Sequence, residues 1–191
     1  DMRELNIEDL IGRKQIQLDK VSIGRLVGDK VVMVTGAGGF IGSELVRQIS
    51  DLSPSSLVLV DRDETGLLSA STGITGRGLG ASHQTHLADI RDHQAIDSLF
   101  DLYKPDVVFH AAALKHVSML ERFPREAWKT NVEGTLNVLR AARRVGVSSF
   151  INISTDKAAN PLNTLGKSKR LGEHLTSWFG ADCGKPYVSV R

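Results

Sequence analysis

Residues 35–42 read Thr-Gly-Ala-Gly-Gly-Phe-Ile-Gly, and this stretch decides the fold. Its glycines, Gly36, Gly39 and Gly42, are spaced G-x-x-G-x-x-G. An apolar, β-branched run precedes them and an amphipathic pattern continues to Ser50, so they lie between a predicted strand and a predicted helix. Glycine permits a tight turn and lets backbone amides approach a pyrophosphate, while the helix N-terminus offers unpaired N–H groups. The context predicts a dinucleotide-binding turn and disfavours a plain turn without a ligand.

The rest of the chain alternates between short apolar runs and amphipathic stretches. Strands are expected at residues 30–35, 57–60, 84–87, 107–110, 150–153 and 187–190. Helices are expected at 39–50, 92–103, 125–145 and 165–179, with a short helix and a Gly/Ser/Thr-rich loop at 62–82. Strands that alternate with helices give right-handed βαβ units. The predicted fold class is α/β, a Rossmann-type doubly wound parallel sheet with helices on both faces.

Length and composition limit the remaining possibilities. Residues 1–28 have no sustained apolar period, so we expect an N-terminal linker there and one dinucleotide-binding domain over residues 29–191. The net charge of +2 is too small to favour nucleic acid or an anionic membrane surface. No apolar run approaches the roughly 20 residues of a membrane-spanning helix. Cys183 is the single cysteine, which fits a reducing cytoplasm, and no metal-ligand spacing is evident.

Two adjacent residues after the second predicted strand bear on the choice of cofactor. Asp61 is positioned to accept hydrogen bonds from the adenosine ribose hydroxyls, which favours NAD. Arg62 could instead hold a 2′-phosphate, which favours NADP. We therefore expect NAD and keep NADP open. Asp89 and Ile90 follow the third strand, where an adenine ring would lie, and an N-cap of the next helix is the alternative role for Asp89.

Four segments resemble the extended short-chain dehydrogenase/reductase superfamily. The closer resemblance is to the polysaccharide-biosynthesis nucleotide-sugar 4,6-dehydratases, which act on UDP-N-acetylglucosamine. The segments read VTGAGG at 34–39, HAAALKHV at 110–117, TNVEGT at 130–135 and STDKAANP at 154–161, the last being the most specific. The stretch at 9–19 also resembles the linker of long members, in which the catalytic domain follows a membrane domain.

The resemblance implies a redox-neutral reaction on a UDP-sugar. NAD takes hydride from C4, a base removes the C5 proton, an acid helps the C6 hydroxyl to leave as water, and hydride returns to C6. Asp156 would be the acid, with a raised pKa, Lys157 the base, and Thr155 a contact to the sugar or the nicotinamide side. Lys169 would bind the nicotinamide ribose. Leu165 stands where the wider superfamily has a proton-accepting Tyr, so the acceptor of the C4 proton is left open.

The glycine turn and the resemblance together give an expected cofactor site. Its residues are Thr35, Gly36, Gly38, Gly39, Phe40, Ile41, Gly42, Asp61, Arg62, Asp89, Ile90, Ala111, Ala112, Ala113, Lys115, Asn131 and Lys169. We expect a cytoplasmic domain that does not itself contact a membrane, from a membrane-anchored parent, and we leave homo-oligomer formation open.

The family's smaller C-terminal domain, which helps to bind the sugar nucleotide, is expected to be largely absent. The chain should therefore bind cofactor and turn over substrate poorly or not at all. Two alternatives remain. A nucleotide-sugar 4-epimerase would need no C5 base, and a non-catalytic dinucleotide-binding module would tolerate Leu165.

Overall fold

A computed structural model describes residues 19–74 and 82–191 of the chain. Within these residues the strands are β1 Val31–Thr35, β2 Ser56–Asp61, β3 Ser82–Leu87, β4 Val107–His110, β5 Ser149–Ile153 and β6 Tyr187–Val190. They form one parallel sheet in the order β3-β2-β1-β4-β5-β6. The strand order reverses between β1 and β4, and open α/β sheets bind ligands outside the carboxyl ends of the strands at such a point.

Helix α1, Lys20–Val27, precedes β1, and the other helices connect consecutive strands. These are α2 Phe40–Ser50, α3 Glu64–Ile74, α4 His93–Tyr103, α5 Val117–Arg122, α6 Pro124–Ala127, α7 Thr135–Val145 and α8 Thr164–Cys183. A π-helical segment, Trp128–Gly134, joins α6 to α7, and a 3₁₀ turn, Asp156–Ala158, lies between β5 and α8. The helical run from 124 to 145 corresponds to the long helix predicted at 125–145.

Both faces of the sheet are covered by an apolar core. On one face, Val32 and Val34 of β1 pack with side chains of α1, α2 and α3. On the other face, Met33 of β1 packs with side chains of α4, α7 and α8. Successive residues of a strand point to opposite faces, so a strand buried on both sides must be apolar throughout, as the run Val31–Val34 is. The predicted doubly wound α/β fold is confirmed.

The structure differs from the prediction in three places. The part of the expected linker that is described contains α1, capped by the Asp19 carboxylate, and its Val27 is fully buried in the core; residues 1–18 lie outside the described residues. Helix α5 was not predicted because its six residues are too few to show a period. The N-cap of α4 is Asp92, which accepts hydrogen bonds from two first-turn amides, so the alternative role of Asp89 as a helix cap is wrong.

Residues 19–74 and 82–191 contain neither a candidate membrane span nor a candidate metal site. None of their helices combines the length and apolar character needed to cross a bilayer. No three His, Cys, Asp or Glu side chains within the described ranges lie together as metal ligands would.

Candidate active site

The glycine turn is held tightly at the carboxyl end of β1. Gly36 has a φ of +74°, and its amide donates to the carbonyl of Val60 over 2.8 Å. A Cβ added at Gly36 would lie 2.5 Å from the backbone nitrogen of Ala112. A Cβ added at Gly42 would lie 1.9 Å from the carbonyl oxygen of Gly36. Only glycine fits at these two positions, so the start of α2 and the Ala turn after β4 can both approach the loop.

Helix α2 begins without a side-chain cap. Its N-cap is Gly39, whereas the caps of α4 and α8 are Asp92 and Asn163, whose side chains accept first-turn amides. Uncapped N–H groups at a helix start are a site for an anion such as a pyrophosphate. Phe40 and Ile41 are exposed in the first turn of α2, with 82% and 51% of their surface accessible.

Asp61 lies across the turn from these amides. Its carboxylate accepts from the amide of Gly38 over 2.8 Å and from the amide of Asp63 over 2.9 Å. These hydrogen bonds hold the Asp61 carboxylate beside the glycine turn. A carboxylate can accept about four hydrogen bonds, so it retains capacity for ribose hydroxyls.

An open cleft extends from the glycine turn across the carboxyl ends of β1, β2 and β4. Most of the expected cofactor residues line it: Gly36, Gly38, Gly39, Asp61, Arg62, Asp89, Ile90, Ala111, Ala112 and Ala113. The described residues that line the cleft do not include Thr35, Phe40, Ile41, Gly42, Lys115, Asn131 or Lys169.

Thr130 also lines the cleft, and the sequence analysis did not single it out. Its side chain is buried, and its hydroxyl has no hydrogen-bond partner within the described part of the chain. A buried polar atom without a partner is costly, so this hydroxyl suits a polar group of a bound molecule. The sequence feature that could have pointed to Thr130 is its position directly before Asn131 in the TNVEGT segment. With the glycine-lined turn, the orphaned hydroxyl fits a dinucleotide in this cleft.

Two buried polar side chains support the cleft from behind. His110 is fully buried between the hydroxyls of Thr35 and Thr135, at 2.7 and 3.0 Å from its two ring nitrogens. Burial, with a smaller contribution from the charge of Lys169, lowers the pKa of His110 to about 3. The imidazole is therefore neutral and ties β1 to α7 through hydrogen bonds rather than charge.

Asn131 fixes the loop after β4. Its amide oxygen accepts from the backbone N–H of Leu114 over 2.8 Å, and its amide nitrogen donates to the Leu114 carbonyl over 3.0 Å. The same nitrogen donates to the hydroxyl of Ser168 on α8 over 3.0 Å. Asn131 thus has a structural position between α8 and the Ala turn rather than on the cleft wall.

The second half of the site lies at the carboxyl end of β5. Asp156 and Lys157 occupy the 3₁₀ turn there, with 3.3 Å between the carboxylate and the ammonium group. The Asp156 side chain is 85% exposed. The hydroxyl of Thr155 donates to this carboxylate, as does Lys157, and these hydrogen bonds lower the pKa of Asp156. The expectation of a raised pKa is wrong in this structure because the carboxylate is solvated and hydrogen-bonded in its charged form.

Lys169 is buried beneath this turn. Its ammonium group donates to the carbonyl of Ile153, at the end of β5, over 2.6 Å. Burial lowers the pKa of Lys169 to about 8, and the negative charge of Glu173 opposes part of that change. Leu165, one helical turn earlier, is 5% exposed and packs against Leu120 and Ala127. Its side chain belongs to an apolar cluster and offers no atom that can carry a proton.

Comparisons with known proteins agree with this geometry. Residues 32–191 match the family described as "Polysaccharide biosynthesis protein".

The chain belongs to this polysaccharide biosynthesis protein family.

The "Probable polysaccharide biosynthesis protein EpsC" of Bacillus subtilis is 42% identical over 191 residues, which cover 100% of this chain and 32% of the relative. The "Capsular polysaccharide biosynthesis protein CapD" of Staphylococcus aureus is 37% identical over 193 residues, with the same coverage. The chain therefore spans about a third of the length of these family members. A crystal structure of a Thermus thermophilus UDP-glucose 4-epimerase in complex with NAD is 26% identical, with a TM-score of 0.71, covering 84% of this chain and 54% of that one. The resemblance to the nucleotide-sugar enzymes of the superfamily is confirmed at the level of family and fold.

Proposed function

We propose that this chain is the NAD-binding and catalytic part of a nucleotide-sugar 4,6-dehydratase of polysaccharide biosynthesis, acting on UDP-N-acetylglucosamine. Support for NAD comes from the glycine-lined turn, the uncapped start of α2 and the Asp61 carboxylate. The Thermus thermophilus structure with NAD has the same fold and supports the same cofactor. The adenosine half would lie towards Asp61 and the nicotinamide half towards Lys169.

Bound NAD would supply the hydride chemistry, by removing hydride from C4 of the sugar and returning it to C6, and the C4 hydroxyl proton would pass to an ordered water or a substrate group because Leu165 cannot accept it. The chain would supply binding and proton transfer. The buried ammonium group of Lys169, which donates to the Ile153 carbonyl at the end of β5, would hold the nicotinamide ribose. Lys157 would take the C5 proton, and Asp156 would donate a proton to the departing C6 hydroxyl.

The observation that carries the dehydratase proposal is the contact between Asp156 and Lys157 beyond β5. Water loss across C5 and C6 needs an acid and a base close together, and this pair is 3.3 Å apart at the ligand-binding edge of the sheet. The acid must hold a proton, whereas Asp156 is exposed and has a lowered pKa in this structure. A substrate that covers the pair would remove water from the carboxylate and raise its pKa. Epimerisation at C4 requires no C5 base, so the Asp156–Lys157 pair favours the dehydratase over the epimerase.

The proposal is tested with the full-length protein that contains this chain. Wild type, Asp156→Asn, Lys157→Gln and the control Lys30→Gln are incubated with UDP-N-acetylglucosamine and NAD, and products are identified by mass. Lys30 precedes β1 and lies at the amino end of the strands, opposite to the carboxyl end where Asp156 and Lys157 lie, so its variant should keep wild-type turnover. We expect loss of water from the sugar in wild type and at least a hundredfold slower turnover in both site variants, since one acid or base contributes about 10²–10⁴-fold.

An unchanged sugar mass, with conversion to a 4-epimer identified by NMR, would support the epimerase instead. NAD binding without turnover of any sugar nucleotide would support the non-catalytic module.

A further inference from the structure

Arg62 is the one expected cofactor residue whose charge disagrees with the preference for NAD. It follows Asp61 and lines the cleft, where a free guanidinium would attract a 2′-phosphate. The structure shows what this guanidinium contacts instead. Its NH1 atom lies 3.5 Å from Oδ2 of Asp89, which follows β3 on the other side of the adenosine end of the cleft.

Asp89 is held in place by a second arginine. Its Oδ1 accepts from the backbone amide of Arg91 over 3.0 Å, and its Oδ2 accepts from Nε of Arg91 over 2.8 Å. Arg91 in turn contacts Glu126 at 3.1 Å, and Glu126 contacts Lys129 at 2.9 Å. The carboxylate of Asp89 is 24% exposed, less than any other member of this chain of ion pairs. Asp89 is therefore held by several short contacts to Arg91, and its contact to Arg62 is longer than any of them.

Within the described residues, the carboxylates of this network and of the adjoining cleft, Asp63 included, at least match its cations. Arg62, Arg91 and Lys129 face Asp89 and Glu126, and the Asp61 carboxylate lies beside them. A 2′-phosphate would bring about two negative charges next to Asp61 and Asp89. To neutralise them, Arg62 would have to leave Asp89, so phosphate binding would cost the Arg62–Asp89 contact.

We propose that Asp89 sets the cofactor preference of this chain by holding Arg62 away from the 2′ position of the adenosine ribose, so that Arg62 does not serve as a phosphate ligand and NADP is disfavoured. The inference rests on the proposed dinucleotide site. It assigns Asp89 a positioning role on Arg62 that is separate from any contact of its own with the adenine ring.

The test measures dissociation constants of NAD and NADP for the 191-residue chain by calorimetry, and the readout is their ratio. A lost adenine contact would weaken both nucleotides alike and leave the ratio unchanged. Asp89→Asn should shift the ratio towards NADP by about three- to fivefold, the size expected for an exposed ion pair. In wild type, Arg62→Gln should change the ratio by less than about twofold. In the Asp89→Asn background, Arg62→Gln should remove the shift, because the shift depends on the released guanidinium.

Glu126→Gln is the matched control. It removes one negative charge from the same network on the far side of Arg91 and leaves the Arg62–Asp89 contact in place, so its ratio should stay within twofold of wild type.

Three results would overturn the inference while leaving NAD binding intact. One is an unchanged ratio in Asp89→Asn. The second is a large loss of NADP affinity in Arg62→Gln alone, which would make Arg62 a phosphate ligand already. The third is a shift in Asp89→Asn that persists without Arg62, which would mean that Asp89 acts by its own charge. Failure of the wild-type chain to bind either nucleotide would overturn the proposed cofactor site as well.

Discussion

Replacing Gly42 by alanine tests whether the close contact between α2 and the glycine turn is essential. The added Cβ would lie 1.9 Å from the Gly36 carbonyl oxygen, whereas real Cβ atoms essentially never come within 3.0 Å of a neighbour. Both partners are backbone, so no rotamer change relieves the contact. Helix α2 and the turn must separate by about 1 Å, which moves the helix N-terminus away from the pyrophosphate position.

The energetic cost follows from two opposing effects. Overpacking costs about 1–3 kcal/mol, and a clash between two backbone segments belongs at the upper end of that range. Alanine in a helix is favoured over glycine by about 1 kcal/mol, which offsets part of this cost. We therefore expect Gly42→Ala to lower the free energy of unfolding by about 2 kcal/mol and to weaken NAD binding at least tenfold.

The matched control is Gly24→Ala in α1. A Cβ at Gly24 meets no heavy atom within 4 Å, so the same substitution should raise the free energy of unfolding by up to about 1 kcal/mol and leave NAD affinity unchanged. Urea denaturation and NAD titration of both variants give the two quantities. Equal unfolding free energies for the two variants, or tight NAD binding by Gly42→Ala, would refute the reasoning.

Three further predictions concern buried or paired charges. His110 has a pKa of about 3 in the folded chain and of about 6.5 in the unfolded chain, so between these values only the unfolded chain binds the proton. As the pH falls from 6.5 to 3, the free energy of unfolding of wild type should therefore decrease by about 4 kcal/mol relative to that of His110→Gln. Lys169 has its pKa lowered from 10.5 to about 8, so the unfolded chain binds more protons in that window. From pH 8 to 10.5, the free energy of unfolding of wild type should therefore rise by about 3 kcal/mol relative to that of Lys169→Met. A difference between the two proteins that does not change with pH in urea melts would contradict this. Glu173 accepts hydrogen bonds from Ser154 over 2.6 Å and from Arg191 over 2.8 Å. Glu173→Gln should therefore lower the free energy of unfolding by about 1–2 kcal/mol in thermal or urea melts. The control Glu44→Gln, at an exposed ion pair, should lower it by less than about 0.5 kcal/mol.

Local sequence pattern was sufficient to predict most of the fold. The glycine turn and the strands depend on neighbouring residues, whose spacing fixes both the turn geometry and the burial of β1. Residues 31–34 are apolar without a break, which is the pattern of a strand covered on both faces. The packing of Val27 was not predictable in this way because it depends on contacts with distant parts of the chain, and α5 was missed because it is too short to show a period.

The site was predicted less completely, for the same physical reason. Thr130 was missed because its burial beside the cleft follows from how the π-helical segment packs, which no local period reports. The pKa of Asp156 was expected in the wrong direction because a pKa depends on solvent exposure, and the turn after β5 is open in this structure. The roles of Asp156, Lys157 and Lys169 in catalysis remain predictions.

The most direct test of the proposed dehydratase activity is NMR analysis of the sugar product formed from UDP-N-acetylglucosamine by the full-length protein in D₂O. Removal of the C5 proton by Lys157 and its replacement from solvent should give a 4-keto-6-deoxy sugar that carries deuterium at C5. A 4-epimer that retains its C5 proton would contradict the proposal and show that the Asp156–Lys157 pair does not perform proton transfer at C5 and C6.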